Sequence, residues 1–95
     1  MTNFVVEVYA PNLSRADLAE LAGRAEAAVL QMEREGVRVR YLRSVLVPED
    51  ETCFHHFEGP TIDAIRLASE RAGLFSDDRL GSIKRSVQEE RWRSA

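Results

Sequence analysis

Ninety-five residues, with 44% hydrophobic and 31% charged side chains, suit one globular domain and leave no room for two. Thirteen basic against sixteen acidic residues give a net charge of −3, which argues against a nucleic-acid backbone as the main partner. A single cysteine excludes an internal disulfide and fits a reducing cytoplasm; no apolar run approaches the ~18 residues of a membrane span, and the N-terminus reads as a strand, not a signal peptide.

Asn3 to Tyr9 alternates, with Phe4, Val6 and Val8 on one face and Val5, Glu7 and Tyr9 on the other, and predicts a first strand. Ser14 is a good N-cap, with Asp17 in the place of a capping-box acid, and opens a helix to about Glu35. Its apolar stripe is Leu18, Leu21, Ala22, Ala25, Val29 and Met32, and Gly36 stops it. Val37 to Val47 is the second strand. Here Val37, Val39, Tyr41, Val45 and Val47 share one parity, and apolar residues occupy both parities after Tyr41. That pattern suits a strand covered on both sides. Arg38, Arg40 and Arg43 are the nearest thing to a basic cluster.

Pro48, Glu49, Asp50 and Glu51 turn the chain into a third strand, Thr52 to Glu58, completing a hairpin. Thr61 caps a second helix, striped by Ile62, Ile65, Ala68 and Ala72 and ended by Gly73. Arg79 to Val87 is the fourth strand; residues 88–95 form a charged tail containing Trp92. The order β-α-β-β-α-β predicts an α+β, ferredoxin-like domain over residues 1–87. Four antiparallel strands carry two helices on one face. The other face must be wet, filled by a ligand or buried. A homodimer joined through the open sheet faces, of the dimeric α+β barrel type, is the simplest cover, and a core this small gains from it.

The third strand holds Cys53, His55 and His56, the chain's only cysteine and both its histidines. Taking Phe54 with the helix-facing apolar set turns Cys53, His55 and Phe57 to the open face, beside Glu7 and Tyr9. His56 then faces the helices. Cys-x-His with a carboxylate suits a late divalent ion such as nickel, zinc or copper better than calcium or magnesium. The alternative is a buried cysteine and a histidine hydrogen-bonded to Glu7 or Tyr9. Glu49, Asp50 and Glu51 are a second, harder metal site or simply a solvated turn. Cys53 and His55 lie ~6.5 Å apart along a strand, long for activating a thiolate, and no triad is evident.

Phe-Val-Val-Glu-Val-Tyr, Val-Arg-Tyr-Leu-Arg-Ser-Val-Leu-Val-Pro-Glu-Asp-Glu-Thr-Cys-Phe-His and Ala-Ser-Glu-Arg-Ala-Gly-Leu together resemble a family of small bacterial proteins, a domain of unknown function described as nickel-binding or nickel-responsive. The likeness runs from about Asn3 to Val87, and Pro-Glu-Asp-Glu-Thr-Cys-Phe-His is its most specific part. It implies a ferredoxin-like homodimer, surface-bound nickel and, for one branch, nickel sequestration or detoxification. Glu7, Glu51, Cys53 and His55 match the family's polar positions. His56 departs, standing where relatives carry an apolar residue such as leucine, and the tail with Trp92 lies outside the pattern. The expectation is therefore a cytoplasmic, non-catalytic nickel-binding dimer with Glu7, Cys53, His55 and Glu51 as metal ligands. The alternative is a dimeric α+β barrel enzyme or small-molecule binder whose pocket Tyr9, Tyr41, Cys53, His55 and His56 would line. A plain interaction module is the third reading.

Overall fold

The alternation at the N-terminus becomes a strand, Thr2–Tyr9 (β1), that buries Phe4, Val6 and Val8. The computed structural model describes residues 1–76 and 79–86. The first helix is Arg15–Arg34 (α1), opened by the expected capping box: Ser14 Oγ accepts from the Asp17 N–H, and the Asp17 carboxylate accepts from the Ser14 N–H. Such a cap contributes about 0.5–2 kcal/mol. Leu21, Ala25, Ala28, Val29 and Met32 form its buried stripe, while Leu18 and Ala22 are half-buried at the margin. Gly36, at φ +89°, turns the chain away in a conformation that side chains with a Cβ rarely adopt.

The second strand is Arg40–Val47 (β2), three residues shorter than expected at its start. A 3-10 turn, Pro48–Asp50, and Glu51 in the left-handed region lead into Thr52–Gly59 (β3). Thr61 caps Ile62–Ala72 (α2) by accepting from the Ala64 N–H, and Gly73, at φ +69°, ends it. The fourth strand is Gly81–Arg85 (β4), shorter at both ends than expected; Val87 and the tail with Trp92 lie outside the described residues.

The strands lie in the order β2-β3-β1-β4, all antiparallel. This is the ferredoxin-like β-α-β-β-α-β arrangement, and both helices pack on one face of the sheet. Phe57, Met32, Ile65 and Leu74 are wholly enclosed between the two layers. Each such side chain contributes about 1.5–3 kcal/mol by leaving water. The molecule measures 38 × 34 × 20 Å, and its short axis spans one helical layer and one sheet. No described helix is long and apolar enough to cross a membrane.

Register corrects the expected faces. Residues directly opposite in an antiparallel pair share a face. Phe4 lies opposite Phe57, Val6 opposite His55 and Val8 opposite Cys53, so Cys53, His55 and Phe57 point into the helix-facing core. Glu7 lies opposite Phe54 and Val5 opposite His56, so Phe54 and His56 are on the open face. This reverses the assignment for the third strand. The reason is burial: Phe57 and Cys53 are 0% exposed, and a phenylalanine and a thiol outweigh Phe54 in driving that parity inward. A β-bulge between Tyr41 and Arg43 resets parity within β2 as well. Tyr41, Ser44 and Leu46 face the helices, whereas Arg43, Val45 and Val47 face outward, so Tyr41 and Val45 do not share a face.

Candidate functional site

The corrected register separates the expected ligands into two groups on opposite sides of the sheet. On the helix side, β3 presents Cys53 and His55, at 0% and 1% exposure, and β2 presents Tyr41 and Ser44 beside them. The Tyr41 hydroxyl and Ser44 Oγ are 2.5 Å apart, and Ser44 Oγ is 2.6 Å from His55 Nδ1. The bulge makes this chain of hydrogen bonds possible by bringing Tyr41 and Ser44, three residues apart, onto one face. Cys53 Sγ lies 4.0 Å from the same Nδ1, closer than backbone spacing suggested because both side chains lean together. His55 Nε2 is buried and has no hydrogen-bond partner among the described residues. Leaving such a group unpaired costs about 1–3 kcal/mol.

Burial sets the charge state here. It pushes the His55 imidazole down to about 4, helped by the positive influence of His56 and Arg79, so the ring is neutral near pH 7. It pushes the Cys53 thiol up to about 11, with Arg79 pulling weakly the other way. Burial raises the Tyr41 phenol too, against the effect of its Ser44 hydrogen bond. A protonated, buried thiol with a 4.0 Å contact to its nearest base is not an activated nucleophile.

On the open side, Glu7 and Tyr9 of β1 stand beside Phe54 and His56 of β3. Glu7 and His56 are diagonal cross-strand neighbours, ~7–8 Å apart along the backbone and within reach of long side chains. Glu7 is half-buried and lies 3.8 Å from the Lys84 ammonium. His56 is half-buried opposite Arg43; burial first, and then that guanidinium, lower its pKa. Val45 and Tyr9 are 41% and 51% exposed on the same face, an apolar patch larger than a lone surface residue.

Glu7 therefore cannot share an ion with Cys53 and His55, because the sheet lies between them. Glu51 stands apart again. It is exposed at the hairpin turn, its backbone carbonyl accepts from the Ala10 N–H, and it lines a cleft of about 240 Å³ with Ala10, Asn12, Leu13, Leu46 and Pro48. Among the described residues, no three His, Cys, Asp or Glu side chains come together as a metal-binding group. The expected pocket residues also divide: Tyr41, Cys53 and His55 lie inside, Tyr9 and His56 outside. Sequence reasoning missed Ser44 and Arg79. A hydroxyl directly before the apolar run Val45-Leu46-Val47, in a strand, was the available signal for Ser44; Arg79 had none.

No protein-family model matches the chain, and no curated protein matches it in sequence. Among solved structures, the chain is similar to SCO4226 from Streptomyces coelicolor A3(2). The TM-score is 0.53 at 23% identity, over 81% of this chain and 91% of that one. At that identity the likeness is one of fold.

Proposed function

We propose that the chain is a non-catalytic, homodimeric protein that binds a late divalent transition metal, with nickel as the ion the family resemblance implies and sequestration as its role. The carrying observation is that Glu7 and His56, diagonal neighbours on β1 and β3, share an open, partly apolar sheet face. Imidazole and carboxylate are donors that suit nickel, zinc or copper(II). One protomer supplies two such groups, too few to hold an ion well. A second copy laid face to face supplies the same two again, and the four together meet the requirement. Metal binding and assembly are then one event. This reading replaces Cys53, His55 and Glu51 with His56 as the partner of Glu7.

The test is calorimetric titration of nickel into protein carrying no affinity tag. Saturable binding is expected. Glu7→Gln and His56→Gln should each weaken it by at least the roughly 10–100-fold typical of a lost metal-site contact. Heats no larger than those of an unrelated histidine-containing control would sink the proposal, as would full binding in both variants.

A further inference from the structure

The cleft beside the hairpin turn calls for an account of its own. It holds about 240 Å³ and opens between the loop after β1 and the turn that joins β2 to β3. Ala10, Leu13, Leu46 and Pro48 make its walls apolar, and Asn12 and Glu51 are its polar members. Ala10 is buried, Leu13 packs against the core and Leu46 lies opposite Cys53 on the helix-facing side, so the walls carry the core out to the surface. The Ala10 N–H donates to the Glu51 carbonyl at 2.7 Å and ties the two sides together. Asn12 and Glu51 are also the only non-glycine residues at positive φ among the described residues, at +62° and +50°. That conformation is uncommon for a residue with a Cβ, and for glutamate more so than for asparagine. Strained backbone of this kind gathers at ligand clamps. Neither side chain has a hydrogen bond or ion pair with a described residue, so no side-chain contact within the chain compensates the strain.

We propose that this cleft binds a small organic ammonium, a primary amine on a compact apolar body. Apolar walls with a few convergent polar groups are the ordinary make-up of a small-molecule site. Glu51 is the one charged side chain lining the cleft among the described residues, and Glu49 and Asp50 add negative charge on the same turn. An ammonium brings three donors; the Glu51 carboxylate accepts one in a charge-assisted hydrogen bond, and the Asn12 side-chain carbonyl accepts another. At ~30 Å³ for each water-sized group, the cleft has room for roughly eight non-hydrogen atoms.

Two nearby features favour an anion instead, and neither prevails. The start of α1 carries the positive end of the helix dipole. Its capping box already occupies the Ser14 and Asp17 N–H groups, Asp17 adds a carboxylate there, and neither residue lines the cleft. Arg79 acts on Asp17 and Cys53 but does not line the cleft either. A bare hard cation fits poorly, since it takes six or more oxygen ligands and leaves the apolar walls unused. The site is independent of Glu7 and His56, which stand on the open face of the sheet.

The probes are benzylammonium, benzyl alcohol of the same shape without the charge, and benzoate. Each is titrated into the full, isotope-labelled chain at low salt while backbone amide resonances are followed. Benzylammonium should shift the amides of Ala10, Asn12, Leu13, Leu46 and Glu51 saturably. Benzyl alcohol should bind about tenfold more weakly or worse, the size of a lost charge-assisted hydrogen bond, and benzoate should not bind there. Glu51→Gln should bring benzylammonium down to the level of the alcohol. Glu49→Gln, on the same turn but outside the cleft, should change it by no more than about twofold, because an exposed charge acts weakly through water. Absence of saturable shifts at the cleft overturns the proposal, as does an alcohol that binds as well as the ammonium or a Glu49→Gln loss equal to that of Glu51→Gln. The comparison of probes on the unaltered protein decides even if a variant does not fold.

Discussion

His55 has one ring nitrogen tied to Ser44 and the other bare, in a place where an imidazolium would be costly. Its pKa near 4 when folded, against 6.5 when free, makes the fold sensitive to acid. Between those values the unfolded chain binds the proton and the folded chain does not, so stability rises with pH across the window. The neutral-state stability is fully present above about pH 6.5 and is lost as pH falls toward about 4, on the order of 3 kcal/mol over the whole span. His56, also lowered, acts in the same direction. Cys53 acts at the other end: its thiol pKa is raised from 9 to about 11, so stability falls as pH rises through that interval. Urea midpoints measured from pH 4 to 7 should therefore fall steeply toward acid in the unaltered protein and much less in His55→Phe. Equal slopes would clear His55 of the effect.

At the scale of elements, the helices were legible because their signals are local. Ser14 with Asp17, Thr61, Gly36 and Gly73 mark the ends whatever the tertiary packing does. Strand faces were harder to read. In β1 only one parity is continuously apolar, so Phe4, Val6 and Val8 were assigned correctly. In β3 each parity holds one phenylalanine and one histidine, and Cys53 alone breaks the tie. In β2 the bulge changes parity midway, which no residue count reveals. β3 carries Cys53, His55 and His56, and β2 packs beside it, so the elements were readable and the site was not. The junction of β4 with β1 is equally tertiary. A Cβ added at Gly81 would collide with the Glu7 carbonyl of β1 and come within 2.6 Å of the Phe75 ring. A backbone carbonyl cannot swing aside, so Gly81→Ala should push β4 off the sheet and cost about 1–3 kcal/mol. Gly23 of α1 has nothing within 4 Å of such a Cβ, and Gly23→Ala should stabilise by about 0.5–1 kcal/mol. Thermal unfolding of the two variants should give shifts of opposite sign; a harmless Gly81→Ala would mean that β4 is free to move.

For the whole molecule, the proposed dimer rests on the open face of the sheet. Three strands of eight residues and one of five, at ~3.3 Å per residue and ~4.8 Å between strands, give a flat area on the order of 450 Å², before side-chain relief is added. That is a little over half the ~800 Å² per partner of a standard interface, with side-chain relief still to be added. The face carries both signs of charge, Arg40 with Glu58 and Lys84 with Glu7, so a second copy can meet it without a wall of like charge. Phe54, between Glu7 on β1 and Val45 on β2, sits near its centre. Sedimentation should give about twice the 10.8 kDa chain mass, with a melting temperature that rises with concentration. Phe54→Glu places a charge in the middle of the proposed interface and leaves the helix-facing core untouched. It should give a folded monomer with weakened nickel affinity, because each protomer then has only its own Glu7 and His56. A monomeric unaltered protein at all concentrations would remove the dimer. A monomeric Phe54→Glu that keeps full nickel affinity would separate binding from assembly and return the metal to a single chain.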